Sequence, residues 1–151
     1  MKVIAVTGTA GSGKTFFAKK LARKKGYLYF DTAAFLKKHK IYDRYNKKLA
    51  TYEVDTDKFV TVMSDVLKGL VKEGWKGVVL DGHLSHYLSS RLIDLVYIVR
   101  CDVKELRKRL KKRGYKKNKI EENVEAEIME TCLIEAKDFG HKIKVIISNT
   151  N

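Results

Sequence analysis

The sequence predicts an α/β fold in which a five-stranded parallel sheet carries helices on both faces. Short runs of β-branched and apolar residues alternate along the chain with segments of helical periodicity, and this alternation is typical of parallel sheets. No linker, repeat or low-complexity segment interrupts the 151 residues. Because a chain of this length forms one core, we expect a single domain over residues 1–151.

Five segments rich in β-branched and apolar residues are predicted as strands: Val3–Thr7, Tyr27–Phe30, Gly77–Leu80, Leu95–Val99 and Lys144–Ile147. The first of them is apolar without alternation, which is typical of a strand buried on both faces. Ligands of such sheets bind at the carboxyl ends of the strands. Residues that follow the strands are therefore the first candidates for a functional site.

Four helices are predicted between these strands. Apolar residues at helical spacing predict helices over Lys14–Lys25 and Thr56–Glu73. Two more begin at Asp102 and Asn118, because a glutamate follows each after three residues, as in a capping box. The last helix is predicted to be long, since apolar side chains recur at four-residue steps at Ile120, Val124, Ile128 and Cys132.

The composition excludes some classes of protein and favours others. No apolar run approaches the ~18 residues of a membrane span, and the strand-like run after Met1 does not resemble a signal peptide. We therefore expect a cytoplasmic protein that does not enter a membrane. Cys101 and Cys132 stand far apart, which predicts buried thiols and neither a zinc site nor a disulfide. The net charge of +14 favours nucleotides, nucleic acid or an RNA-associated partner.

A glycine-rich segment follows the first predicted strand. Gly8-Thr9-Ala10-Gly11-Ser12-Gly13-Lys14-Thr15 fits G-x-x-x-x-G-K-[ST], and it stands between a strand and a helix, as a phosphate loop requires. Glycines such as Gly11 and Gly13 let backbone N–H groups curl around phosphate oxygens. Lys14 would bind between the β- and γ-phosphates of ATP, and the Thr15 hydroxyl would ligate Mg²⁺. The motif predicts a P-loop NTPase.

A second candidate group ends the third predicted strand. Asp81 follows Val78-Val79-Leu80, the pattern that carries the second carboxylate of a magnesium site, although a simple loop cap is the alternative interpretation. His83 lies two residues further on and could orient an attacking water or an acceptor hydroxyl. His86 is expected to be an exposed polar residue.

Basic residues concentrate between Lys104 and Lys119, where Lys or Arg occupies ten of sixteen positions. Most of them are expected to face water on a basic helix. Arg109 and Arg113 are candidates for contact with ATP, because arginines on a mobile flap stabilise the negative charge of phosphoryl transfer. Arg113 precedes Gly114, which could act as a hinge. Glutamates of the following helix are expected to pair with part of this basic segment.

Four stretches occur in the order of one known family: Gly8–Thr15, Asp81-Gly82-His83, Arg109-Leu110-x-x-Arg113-Gly114-Tyr115, and the segment from Lys119 to Ile128. Together they resemble the atypical adenylate kinases of archaea and the eukaryotic nucleus, which double as ATPases in maturation of the small ribosomal subunit. The match spans nearly the whole chain. The Asp-x-His signature and Asn-Val-Glu-Ala-Glu-Ile are more specific than the phosphate loop alone.

This resemblance implies a nucleoside-monophosphate-kinase-like fold with a monophosphate-binding insert at about residues 30–53 and a lid at about 112–122. It implies a lid contact of Arg113 with ATP and a hydrolytic pair of Asp81 and His83. It also implies a small-subunit ribosomal protein as a partner. Five residues are implied to contact the ATP phosphates, the last through its backbone: Gly11, Gly13, Lys14, Thr15 and Phe16.

The chain also departs from the family pattern. Ala10 stands where the family usually has proline, a change that a backbone cradle tolerates. Lys37 and Lys38 stand in the insert where the family tends to have arginine. Lysine lacks the bidentate fork of arginine, so tight AMP recognition is not expected. Relatives usually continue into a closing helix after the fifth strand, so either this chain is short or adenine and one sheet face are less covered.

The sequence therefore predicts γ-phosphoryl transfer from ATP, with Mg²⁺, to AMP or to water. Lys14 and Arg113 would stabilise charge, Thr15 and Asp81 would hold magnesium, and His83 would position the acceptor. One alternative is a kinase for another small acceptor. Another is an ATP-switched assembly factor whose basic surface binds a ribosomal protein or rRNA.

Overall fold

The computed structural model describes residues 1–49 and 51–148. In chain order the elements are β1 (Lys2–Gly8), α1 (Lys14–Lys25), β2 (Leu28–Asp31), α2 (Thr32–Lys38), β3 (Arg44–Asn46), β4 (Thr51–Glu53), α3 (Thr56–Lys72), β5 (Gly77–Asp81), a 3₁₀ turn (Ser85–Tyr87), β6 (Leu95–Arg100), α4 (Val103–Lys112), α5 (Lys117–Ile128), α6 (Thr131–Asp138) and β7 (Ile143–Ile147).

Five strands form one parallel sheet in the order β2-β5-β1-β6-β7. Parallel pairing places Val6 beside Asp81 and Asp31 beside Asp81 on its other side. The ends of β1, β2 and β5 therefore meet at one edge of the sheet. After β1 the chain continues to β2 on one side of the sheet, and after β5 it crosses to β6 on the other side of β1. This edge is therefore a topological switch point, where α/β sheets bind ligands.

Alternate residues of the central strands build two cores on opposite faces of the sheet. On one face Val3 and Ala5 pack with Phe59 and Met63 of α3, and α6 joins them through Ala136. On the other face Ile4 and Val6 pack against α1. A third cluster joins α4 and α5 through Leu106, Leu110 and Val124, and Ala10 of the glycine-rich loop packs against it. Both faces are thus covered by helices, as the sequence predicts.

All five predicted strands of the sheet are confirmed, with ends within one or two residues. The helices predicted from Lys14, Thr56 and Asp102 are confirmed as well. Asp102 caps α4, because its carboxylate accepts from the amide of Glu105. The two cysteines are unpaired; Cys101 is buried and Cys132 half-buried.

The prediction of one long helix that continues through Cys132 is wrong. The chain turns at Glu130, whose φ of 55° lies in the left-handed region, and α6 begins after it. The reason is Arg100 at the end of β6: it donates to the carboxylate and the carbonyl oxygen of Glu127, and it pairs with Glu130. The prediction that Asn118 caps the next helix is wrong too. Helix α5 begins after Lys116, and the side chain of Asn118 donates to the carbonyl oxygen of Lys48.

The region of the predicted insert, residues 30–53, contains α2 and a small antiparallel hairpin of β3 and β4. The sequence did not predict either element. The hairpin is held by Glu53, which accepts from Arg44 and Asn46. Within the described parts of the chain, no helix combines the length and the apolar character that crossing a membrane demands.

Candidate functional site

A cavity of about 750 Å³ opens at the carboxyl edge of the sheet. Its walls come from the glycine-rich loop, α2 and the hairpin, the segment after β5, and helices α5 and α6. Among its lining residues are Lys14, Asp31, Lys37, His83 and Glu135. A separate, more open groove of about 1170 Å³ runs between α4 and α5, and no residue of the glycine-rich loop lines it.

The glycine-rich loop has the shape of a phosphate cradle. Gly11 and Gly13 have φ of 84° and 101°, conformations that other residues avoid. A Cβ on Gly11 would also lie 2.8 Å from Cδ2 of Leu110, so α4 packs directly against the loop. The first turn of α1 follows, and helix geometry leaves its amides without acceptors inside the helix. The loop and the N-terminus of α1 therefore form a ready anion-binding site.

Phe16 lies in this first turn. Its side chain is 71% exposed, so it does not anchor the loop by packing. Its amide belongs to the unsatisfied group at the start of α1, since the first bond back to the loop is donated by Phe17 to the carbonyl oxygen of Gly13. The part of Phe16 that could donate to an anion is therefore its backbone amide.

Asp81 stands beside this cradle in a buried position. Its Oδ2 accepts from the hydroxyl of Thr15 at 2.7 Å and from the hydroxyl of Tyr29 at 2.6 Å. Its Oδ1 is buried and has no hydrogen-bond partner among the described residues. A buried carboxylate oxygen without a donor is an incomplete site for a cation. Thr15 and Asp81 therefore fit a magnesium ion, which prefers one or two protein oxygens together with phosphates.

Lys14 lies half-buried beside the same carboxylate. Burial in the cleft lowers the pKa of its ammonium group, and the charge of Asp81 opposes this shift. Arg113 lowers the pKa further, which shows that its guanidinium lies close enough to act on Lys14. The structure thus places Lys14 beside Asp81, and the charge of Arg113 acts on Lys14 from outside the cavity lining.

The two candidate arginines occupy different environments. Arg109 is half-buried and holds the loop: its Nη1 donates to the carbonyl oxygen of Gly11 at 3.2 Å, and its Nε lies 3.2 Å from Glu105. Arg113 is exposed at the end of α4, next to Gly114 with its φ of 79°. Arg109 is therefore fixed against the loop, whereas Arg113 stands at a turn where its side chain is exposed. The predicted pairing of the basic segment is found between Arg107 and Glu121.

The two histidines after β5 behave differently from each other. His83 lines the cavity, and its side chain is exposed there. Reduced hydration in the cleft, helped by the charges of Lys14 and His86, lowers the pKa of His83 to about 4. His86 was expected to be exposed, and this is wrong: it is fully buried and hydrogen-bonded to Thr7 and Glu135.

The chain matches the family model described as an AAA domain over residues 4–130. A protein of Pyrococcus abyssi named "Putative adenylate kinase" is 42% identical over 151 residues, which cover 99% of this chain and 76% of that protein. The "Adenylate kinase isoenzyme 6 homolog" of Schizosaccharomyces pombe is 38% identical over 144 residues, with 94% and 78% covered. The chain belongs to the adenylate kinase isoenzyme 6 family.

Solved structures agree with this assignment at the level of the fold. A shikimate kinase from Acinetobacter baumannii superposes with a TM-score of 0.64 at 14% identity, covering 100% of this chain and 86% of that one. A shikimate kinase from Bacteroides thetaiotaomicron gives 0.59 at 16% identity, with 98% and 85% covered. This member of the adenylate kinase isoenzyme 6 family thus has the fold of P-loop kinases.

Three residues of the site, Tyr29, Thr7 and Glu135, were not predicted from the sequence. Tyr29 binds the carboxylate of Asp81 from the neighbouring strand, and Thr7 and Glu135 hold His86. Their partners are distant in sequence, and the order of the strands decides which of them meet. A tyrosine two residues before the end of β2 was the one available signal, because strand ends of a parallel sheet share an edge.

Proposed function

We propose that this protein transfers the γ-phosphoryl group of ATP, in the presence of Mg²⁺, to AMP or to water. The observation that carries the proposal is the Thr15–Asp81 pair beside Lys14, with a buried carboxylate oxygen left unpartnered at the phosphate cradle. Relatives named adenylate kinases at about 40% identity support the nucleotide-kinase class. The fold alone would not select the acceptor.

In this proposal the glycine-rich loop and the amides of the first turn of α1, including that of Phe16, hold the phosphates of ATP. Magnesium, when bound through Thr15 and Asp81, would neutralise charge on the β- and γ-phosphates. Lys14 and Arg113 stabilise the charge that grows on the phosphoryl oxygens as the bond to the β-phosphate oxygen breaks. Arg109 keeps the loop in place through the carbonyl oxygen of Gly11.

His83 is proposed to position the oxygen that attacks the γ-phosphorus. Its pKa of about 4 keeps the imidazole neutral near pH 7, so one ring nitrogen can accept a hydrogen bond from an attacking water, or the ring N–H can donate to a phosphate oxygen of AMP. The new bond forms between that oxygen and phosphorus, and ADP leaves with the bridging oxygen. With AMP as acceptor, both products are ADP; with water, they are ADP and phosphate.

The acceptor half of the cavity is proposed to lie between α2 and the hairpin, inside the insert, with residues 112–122 as a lid on the ATP side. Lys37 and Tyr52 line this half, and the ammonium of Lys37 lies 5.6 Å from the centre of the Tyr52 ring. Lys38 does not line the cavity among the described residues. One lysine binds a phosphate as a point charge without the two-bond clamp of arginine. We therefore expect AMP to be accepted weakly.

Product analysis tests this function. Pure protein is incubated with ATP and Mg²⁺ alone, with AMP, and with other monophosphates, and the nucleotides are separated. Lys14→Ala should reduce turnover more than 10²-fold, while Lys20→Ala, at an exposed position of the same helix, serves as the matched control. Turnover of Lys14→Ala within threefold of the parent, at equal folded concentration, would refute the phosphate-loop assignment. Product formed only with another monophosphate would assign a different acceptor.

A second function, binding of rRNA or a small-subunit ribosomal protein, is proposed for the basic surface. The open groove between α4 and α5 carries five cations: Lys104, Arg107, Lys108, Lys111 and Lys117. Three carboxylates share the groove, so its net charge is smaller than that of the whole chain. Phosphate contacts release counterions, so affinity for RNA should fall steeply as salt rises.

Titration with small-subunit rRNA fragments and with a ribosomal protein, each at low and moderate salt, tests this second function. Lys108→Glu with Lys111→Glu should weaken binding and leave ATP turnover unchanged, because neither residue lines the nucleotide cavity. Absence of saturable binding at low salt would leave the positive charge as a determinant of solubility.

A further inference from the structure

A chain of hydrogen bonds runs behind the phosphate loop and uses residues to which the proposed reaction gives no role. His86 Nδ1 lies 3.0 Å from Thr7 Oγ1, and His86 Nε2 lies 3.0 Å from Glu135 Oε1. Thr7 Oγ1 also lies 3.2 Å from the carbonyl oxygen of His83. The Tyr87 hydroxyl donates to the other oxygen of Glu135. Thr7 and His86 are both 0% exposed, so water does not compete for the bond between them.

The Thr7 hydroxyl has one proton, and besides the neighbouring Cys132 sulfur it can reach the carbonyl oxygen of His83 and Nδ1 of His86. The state of His86 decides between these last two acceptors. An ionised Glu135 only accepts, so His86 carries a proton on Nε2. When the ring is neutral, its Nδ1 is an acceptor, and Thr7 donates to it. When the ring is charged, Nδ1–H donates to Thr7, and the Thr7 proton then turns to the carbonyl oxygen of His83. His86 thus determines whether the backbone of His83 is held.

We propose that His86 is a positioning residue: its bonds to Thr7 and Glu135 fix the direction of the Thr7 hydroxyl and so decide whether the carbonyl oxygen of His83 accepts a hydrogen bond from it. Thr7 directly precedes Gly8, so the same bonds join the base of the phosphate loop to α6. The inference rests on the proposed function, in which His83 positions the acceptor. It assigns a role in the reaction to a residue that does not contact ATP or the acceptor.

Titratable groups face His86 from every element packed around it. Glu135 and the Cys132 thiol belong to α6, and the thiol also lies near the Thr7 hydroxyl. His141 precedes β7 and donates through Nε2 to the carbonyl oxygen of His86 at 2.7 Å. Tyr87 follows in the same turn, and the ring of His83 lies close enough for His86 to lower its pKa. Burial lowers the pKa of His86 and the charge of His141 adds to this, while Glu135 opposes both.

These shifts give the direction of the pH dependence. The pKa of His86 lies below its ordinary value, so near neutral pH the ring is neutral and Thr7 donates to Nδ1. On acidification the ring gains a proton at Nδ1, and the Thr7 hydroxyl turns to the carbonyl oxygen of His83. In the second arrangement the carbonyl oxygen of His83 accepts a hydrogen bond from Thr7, and in the first it does not. The rate of phosphoryl transfer should therefore respond to this proton.

The decisive variants are Thr7→Val, which keeps the shape of the side chain, and Thr7→Ser, which keeps the hydroxyl. We expect Thr7→Val to lower kcat for ATP turnover about five- to tenfold, the scale of one lost hydrogen bond. The KM for Mg·ATP should stay within twofold, because Thr7 does not contact the phosphates. Thr7→Ser should restore kcat to within twofold of the parent. A purely structural role would give no such split between kcat and KM.

His86→Asn and His86→Gln separate the two ends of the imidazole. Asparagine can place an amide oxygen where Nδ1 accepts from Thr7, whereas glutamine can place an amide hydrogen where Nε2 donates to Glu135. Protonation of His83, whose pKa is about 4, gives an acid limb of its own. We expect both variants to keep that limb and to lose the separate acid-side change in kcat that protonation of His86 adds in the parent. Thr7→Ser should keep that change. Persistence of that separate change in both His86 variants would contradict the inference.

A measurement on the unmodified protein keeps the proposal testable if a buried variant fails to fold. In protein labelled with ¹⁵N-histidine, ring nitrogen shifts report which nitrogen carries the proton. We expect His86 to carry it on Nε2 at neutral pH; a proton on Nδ1 alone would overturn the inference. Equal kcat for Thr7→Val and Thr7→Ser would also overturn it, even where Lys14→Ala abolishes turnover. Turnover that survives Lys14→Ala would instead refute the proposed function.

Discussion

Replacing Asp81 by asparagine removes the charge of the proposed metal site and keeps its shape. The amide oxygen of the new side chain can occupy the place of Oδ2 and keep both hydrogen bonds, from Thr15 at 2.7 Å and Tyr29 at 2.6 Å. The amide nitrogen then occupies the buried place of Oδ1. It presents two hydrogens where a cation or its bound water is expected. Asp81→Asn therefore acts on the metal more than on the fold.

The size of the effect follows from the charge that is lost. Two unit charges about 4 Å apart interact with about 4 kcal/mol at an effective dielectric constant of 20. We expect kcat/KM to fall about 10²- to 10³-fold and the Mg²⁺ concentration at half-saturation to rise at least about tenfold. The free energy of unfolding should change by no more than about 1 kcal/mol, since both hydrogen bonds persist.

The same substitution should shift the pH profile. Asp81 raises the pKa of Lys14 against the effect of burial, so its removal lowers that pKa further. Lys14 must be protonated to hold the phosphates, and activity should therefore be lost at a lower alkaline pH in Asp81→Asn than in the parent. The assay is ATP turnover against Mg²⁺ concentration and pH, together with fluorescent-nucleotide binding with and without Mg²⁺. Asp65→Asn, on the exposed face of α3, is the control. The reasoning would be refuted if Asp81→Asn reached half-saturation at the same Mg²⁺ concentration as the parent and lost activity at the same alkaline pH.

Three further predictions concern other parts of the molecule. His83→Ala should lower ATP turnover and leave the dissociation constant of ATP within a few-fold; reduced binding with unchanged turnover would make His83 a binding residue. Lys37→Arg should lower the KM for AMP in the coupled assay, because arginine can form two bonds to a phosphate; an unchanged KM would place the phosphate elsewhere. Glu127→Ala should cost about 2 kcal/mol in denaturant unfolding, since it removes one partner of Arg100 and leaves the buried amide of Cys101 without its acceptor. Glu127→Gln should cost less, because its amide oxygen can still accept from the Cys101 N–H. Equal losses for the two variants would show that this hydrogen bond contributes nothing to stability.

The fold could be predicted from the sequence because buried parallel strands are continuous apolar runs whose meaning does not depend on partners. The corner at Glu130 could not be predicted in this way. It depends on Arg100, which binds Glu127 and Glu130 only after β6 has placed it at the end of α5. The hairpin of β3 and β4 was missed for a similar reason. Its short strands carry no periodic signal, and Glu53 selects their register by its bonds to Arg44 and Asn46.

The candidate site was predictable where it depends on strand ends and unpredictable where it depends on packing. Lys14 and Asp81 were expected to meet because β1 and β5 both end at the same edge of the sheet, and they do. His86 was placed at the surface, because an isolated histidine after a strand is usually exposed. Its burial depends on Thr7 and Glu135, which lie in different elements and satisfy both ring nitrogens. The spacing of Thr7, His86 and Glu135 along the chain contains no signal that these three side chains meet.

The contacts of α4 explain how two arginines of one helix can have different tasks. Leu110 lies where a Cβ on Gly11 would be, so the helix and the phosphate loop pack as one unit. Arg109, beside Leu110 in the chain, is therefore held on the carbonyl oxygen of Gly11. Arg113 is one turn further along, beyond this contact and next to Gly114, and its charge still acts on Lys14. In the proposed reaction, the fixed Arg109 would shape the cradle, and the exposed Arg113 would be available for the charge that appears during phosphoryl transfer.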